Sequence, residues 1–92
     1  MKINFEKIPC YVDIRKQAKM EMNIKYDFSN ALYIYGKGVV MGALALKIYN
    51  SNGEEDYTPN ECQMIISFAK SDFFPPILGD SVEEYILENS KE

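Results

Sequence analysis

The sequence predicts a small α+β domain, mostly α. A short N-terminal β-hairpin of residues 2–7 and 19–22 precedes four helices, at about 24–35, 38–49, 59–70 and 82–88. Three observations carry this. Apolar residues alternate near the N-terminus. They recur at helical spacing over most of the rest. Two stretches of the form Ser/Thr-x-x-Glu stand before apolar runs, as helix starts do. Ninety-two residues make one domain, 1–92, near the small end of what folds alone.

Ile3 and Phe5 alternate with Asn4 and Glu6, a strand pattern that Pro9 interrupts because proline has no amide to give a ladder. Residues 19–28 carry two periods at once. Met20, Met22, Ile24, Tyr26 and Phe28 alternate with polar residues, yet Ile24, Phe28, Ala31, Leu32 and Tyr35 share one helical face. The segment divides into a strand at 19–22 and a helix at 24–35 capped by Asn23, with a strand running on to Phe28 as the competing reading. Gly36 and Gly38 end that helix, with a glycine in the left-handed conformation expected there.

The helix at 38–49 is apolar on nearly every side. From Gly38 to Ile48 its only charge is Lys47. A helix apolar all round must be covered all round, and so short a chain has little to cover it with. Thr58-Pro59-Asn60-Glu61 is a capping box with proline at the first helical position. The helix it opens buries Cys62, Ile65, Ile66 and Ala69. Phe73-Phe74-Pro75-Pro76 breaks the chain, and Ser81-Val82-Glu83-Glu84 repeats the capping pattern for a last helix. The tail, Asn89–Glu92, is expected to fray.

Charge is unevenly spread. Residues 1–49 hold eight Lys/Arg against four Asp/Glu, and residues 50–92 hold two against ten, for a net −4. Mutual attraction of the halves within one fold is the first reading, and an acidic surface imitating nucleic acid ranks last. The acidic balance disfavours binding to nucleic acid. The longest apolar run, Val39 to Leu46, is far short of a membrane span. MKINFEK has no signal-peptide character, so the expectation is the cytoplasm, with Cys10 and Cys62 as reduced thiols.

The chain has no histidine, which removes the commonest general base and metal ligand. Gly36-Lys37-Gly38 lacks the spacing of a phosphate loop. The expectation is therefore a non-enzymatic protein without a cofactor. One stretch is similar to an EF-hand calcium loop: Asn50, Asn52, Glu54, Asp56 and Glu61 fall at positions 1, 3, 5, 7 and 12 of twelve. It departs in having Asn at position 1 and Glu55 where the sharp turn uses glycine. A helix stop at Gly53 and a start at Thr58 explain the same residues with no ion.

The uncovered helix and the tyrosines around it point to protein as the partner, foremost a second copy of the chain as a homodimer. The residues expected at that interface are Tyr33, Tyr35, Val40, Met41, Leu44 and Tyr49.

Lys7-Ile8-Pro9, and the run Ala43 to Gly53 followed by Thr58 and Glu61, are similar to stretches of small uncharacterised proteins carried by bacterial prophages and other mobile elements. Nine of the ten basic residues are lysine, a bias that points the same way, to an AT-rich bacterial or phage genome. The resemblance implies a small accessory or structural protein and no particular chemistry.

Overall fold

The chain first reverses at Asn4. In the computed structural model, which describes residues 1–89, strand β1 (Lys2–Asn4) ends where Asn4 folds onto its own backbone. Its side-chain oxygen accepts from the Glu6 amide (3.0 Å) and its carbonyl from the Lys7 amide (3.1 Å). An asparagine bonded two residues on makes a turn. Residues 2–7 are therefore not one strand. Ile8–Tyr11 form β2, antiparallel to β3 (Lys19–Met22), with Ile8 opposite Met22 and Cys10 opposite Met20. β1 pairs instead with β4 (Glu54–Asp56), a strand inside the connection at 50–61 for which no strand was expected. The partner of 19–22 is thus corrected from 2–7 to 8–11. The fold class is as expected, α+β and mostly α, with four helices among the described residues.

Pro9 sits within β2 without cost, and neighbouring bonds show why. The Val12 amide donates across to Ala18 (3.2 Å), so by alternation the amides of residues 8, 10 and 12 face β3. Those of residues 9 and 11 face the other way. Proline removes a donor that β3 could not have used, and the Tyr11 amide finds the Ser81 hydroxyl (3.0 Å).

Helix α1 (Lys25–Tyr35) begins as the helical period predicts, which excludes the strand to Phe28. The Ile24 amide donates to Phe5 O (2.9 Å), and Asn23 Oδ1 accepts from the Lys25 amide (3.1 Å). Helix α2 (Gly38–Tyr49) follows after two residues. Gly36 is not left-handed, having φ −68°; the positive φ falls on Gly38 (+89°), where α2 starts. Helix α3 (Pro59–Ala69) has the full capping box: Thr58 Oγ1 accepts from the Glu61 amide and Glu61 Oε1 from the Thr58 amide.

Helix α4 (Pro76–Asn89) starts well before the expected 82. Pro76 takes the first helical position, and Pro75 O accepts from the amides of Leu78 and Gly79. Ser81 is no cap. It is buried in mid-helix, donates to Ile77 O (2.7 Å) and accepts from Tyr11. A serine hydroxyl can bond one turn back, so the same four residues suit a cap or a helix interior. Of the tail 89–92 expected to fray, Asn89 is the last residue of α4, and residues 90–92 lie outside the described residues.

The core is built on rings. Phe28, from α1, is fully buried. It stacks on Phe5 (5.4 Å between centroids) and Phe74 (5.3 Å) and meets Phe68 edge-on (5.8 Å). Tyr57 adds its edge to Phe5. One cluster thus joins the β1–β2 turn, α1, α3 and the entry to α4. Around it lie Ile3, Ile8, Leu32, Leu44, Ile48, Ile65, Val82 and Ile86. Helix α4 clamps both ribbons: Tyr85 Oη accepts from the Asn4 amide (3.3 Å) and Ser81 holds β2.

Where α4 leaves the Phe-Phe-Pro-Pro corner it presses on the end of α3. A Cβ at Gly79 would stand 2.7 Å from Ala69 O and 3.1 Å from Lys70 Cα, both backbone. Neither can swing aside. Gly79→Ala is expected to destabilise the fold by about 1–3 kcal/mol, the usual penalty of overpacking. Urea denaturation checks it, and an unchanged midpoint contradicts the close approach.

Candidate functional site

The two-residue connection makes α1 and α2 an antiparallel hairpin, tied at its open end by Tyr26 against Tyr49 (6.3 Å between centroids). One side of each helix goes to the core: Phe28 and Leu32 from α1, and Leu44, Ala45 and Ile48 from α2. The opposite side is bare. On α2 it holds Val39 (88% exposed), Gly42, Ala43, Leu46 (49%) and Tyr49 (52%). On α1 it holds Tyr26 and Tyr33, seven residues apart and both about 60% exposed. None of these side chains carries a charge. Between the helices is a cleft of ≈ 220 Å³, lined by Tyr26, Ser29, Asn30 and Tyr33 of α1 and by Ala45, Leu46 and Tyr49 of α2.

The residues expected at an interface do not all lie here. Tyr33 and Tyr49 do. Leu44 is 2% exposed, part of the chain's own core, and offers nothing to a partner. Val40 and Met41 line the groove between α2 and the start of α3, with Lys47, Glu61 and Met64. Tyr35 stacks on Phe73 (4.5 Å) at the far end of α1. The face also contains Tyr26, Val39 and Leu46, whose signal was the seven-residue spacing of 26 with 33 and of 39 with 46.

The calcium-loop residues are drawn apart. Glu54–Asp56 are extended as β4, so Glu54 and Asp56 project oppositely to Glu55. Asp56 Oδ1 accepts from the Met1 α-amino group (2.9 Å), whose charge holds the carboxyl below its ordinary range. Glu61 is fastened by the Thr58 amide (2.8 Å) and Lys47 Nζ (3.0 Å). Burial pushes its carboxyl up, but these bonds outweigh that and hold it lowered. Asn50 and Asn52 are exposed beside the strand. Among the described residues no three His, Cys, Asp or Glu side chains form a metal set.

The acidic half meets the basic half within the fold. Lys16 pairs with Asp80 (3.1 Å), Lys19 with Glu84 (3.3 Å) and Lys47 with Glu61, while Lys70 bonds Glu83 (2.9 Å) within the second half. The Tyr11 hydroxyl donates to Glu84 and holds its carboxyl lowered. Cys10 and Cys62 are free and buried, and burial pushes both thiols up, away from the reactive thiolate. Among the described residues no helix is long and apolar enough to cross a membrane.

Beside this loop, the Tyr57 hydroxyl is buried with no hydrogen-bond partner among the described residues. Burial pushes it up to about 12, and the nearby Ser51 hydroxyl, which gives its own proton to Ile48 O (2.6 Å), pulls it only partly back.

No protein-family model, curated protein or solved structure matches the chain.

Two outcomes follow from the loop. Millimolar calcium is expected to leave the melting temperature unchanged, because a native-state ligand raises stability in proportion to ln(1 + [L]/Kd), and Asp56 and Glu61 are already engaged while Glu54 projects from a strand. A rise with calcium but not magnesium, abolished by Glu61→Gln, contradicts this. The second concerns alkali. The Tyr57 phenol ionises near 10 when unfolded and near 12 when folded, so it favours the fold below pH 10 and that contribution is lost as pH rises toward 12. Tyr57→Phe should unfold at higher pH than the parent and lose nothing at pH 7, where it only removes an unpaired hydroxyl. Circular dichroism against pH checks both.

Proposed function

We propose that this is a non-enzymatic protein that works by binding protein, itself first of all, through the uncharged face of α1 and α2. The observation that carries the reading is the concentration of Tyr26, Tyr33, Val39, Leu46 and Tyr49 on one side, each about half exposed or more. Single exposed apolar residues are normal; a contiguous patch marks an interaction surface. Burying a Val- or Leu-sized side chain is worth roughly 1.5–3 kcal/mol, a large gain for so small a domain. Tyrosine suits such a face, since it gives broad contact area with few rotatable bonds.

A two-fold dimer is the simplest closed assembly that hides the face, because one patch then serves both copies. The net charge of −4 opposes association of like copies, and the five side chains named above add no charge of their own to that repulsion. The absence of histidine and the two buried, raised thiols support a role without catalysis. Unpaired buried thiols also suit a reducing compartment, so we place the protein in the cytoplasm. A self-assembling accessory protein agrees with the prophage-like resemblance. The ion pairs that occupy the acids of α4 weigh against imitation of nucleic acid, and the extended β4 weighs against calcium.

Light scattering at high micromolar concentration should give twice the 10.6 kDa chain mass. Leu46→Lys should give a folded monomer, because Leu46 is half in water already. A parent protein that scatters as a monomer overturns the proposal.

A further inference from the structure

Gly42 has no packing reason among the described residues. It lies in mid-helix, its φ is not positive, and among the described residues nothing stands within 4 Å of where a Cβ would be. Glycine inside a helix is unfavourable beside alanine. Gly79 repays that loss by close contact with α3; Gly42 touches nothing that needs it. Its open side is the bare side of α2, with Ala43 next to it. Val39 stands out on one flank and the tyrosine cleft opens beside Leu46 on the other, about 10 Å along the axis.

We infer that two copies cross α2 on α2, antiparallel, about a two-fold axis between Gly42 and Ala43, each Val39 entering the other copy's tyrosine cleft. This rests on the self-association proposed above and adds its geometry. Small residues at the crossing let the helix axes approach to the near end of the usual 8–10 Å range. The antiparallel sense follows from the spacing. Val39 precedes the axis by about as many residues as Leu46 follows it, so reversal sets each Val39 over the partner's Leu46 and its cleft. A parallel pair sets Val39 on Val39 and leaves both clefts empty.

The exposed area approaches what a small dimer needs. Tyr26, Tyr33, Val39, Leu46 and Tyr49 expose on the order of 600 Å² per copy, against ~800 Å² per partner in a standard interface. The backbone at Gly42 and Ala43 adds to it. A second copy fits because projection and cleft belong to the same face and are satisfied reciprocally.

Cysteine cross-linking tests the geometry. Cys10 and Cys62 are buried and do not compete. Ala43→Cys, beside the axis, should oxidise to a covalent dimer. Val39→Cys and Leu46→Cys should each stay uncoupled alone and couple when mixed. Val40→Cys, on the groove toward α3, should not couple. Gly42→Leu should keep its helical circular dichroism, having open space around it, and weaken dimerisation at least tenfold. A dimer by light scattering that lacks the Ala43→Cys link, couples Val39→Cys to itself, or tolerates Gly42→Leu overturns this crossing and leaves self-association standing. A monomer at high micromolar concentration overturns both.

Discussion

The burial of Phe28 is the constraint on which the other elements depend. Its ring touches Phe5, Phe68 and Phe74, which arrive from three separate parts of the chain. Aromatic pairs in these geometries add to the gain from area alone. The cluster explains why the chain must turn at Asn4, since Phe5 has to leave β1 and point inward. It explains why the corner 73–76 folds back, since Phe74 must reach the same place. Helix α4 then starts at Pro76, directly behind its anchor, and clamps both ribbons through Ser81, Tyr85 and Glu84.

A core centred there has a geometric consequence for α2. Helix α1 covers one of its flanks, the start of α3 borders the other, and Leu44, Ala45 and Ile48 face inward. The remaining elements are spent elsewhere: α4 lies on β2 and α3, and the ribbons close the opposite end. Among the described residues no element lies over Val39 and Leu46. The bare face is thus a product of where the rings sit. The side chains it exposes there, Tyr26, Tyr33, Val39, Leu46 and Tyr49, carry no charge.

Polar residues that look functional in one dimension serve the fold in three. Glu61 closes a capping box and receives Lys47; Asp56 receives the Met1 amino group; Asp80, Glu83 and Glu84 receive lysines. Such exposed pairs contribute little each to stability. What they do is orient α4 on the ribbon and fix the start of α3, leaving the tyrosine face as the uncommitted surface.

The sequence by itself determined what depends on neighbours along the chain. Helix periodicity located α1 and α2, the Thr58–Glu61 capping box located α3 to the residue, and the uncharged run from Gly38 to Leu46 announced a helix too apolar for its chain. Tertiary structure decided what depends on contacts between distant residues. Whether 19–22 pairs with 2–7 or 8–11 turned on one Asx turn at Asn4, and β4 exists only because β1 lies beside it. Ser81 could cap a helix or sit inside one, and the packing of Tyr11 chose. Among the apolar residues of α2, only the direction of the core separates Leu44, which is buried, from Leu46, which is not. Side chains two positions apart on a helix point about 200° apart, so composition marks the helix as uncovered while only the packed fold says which side.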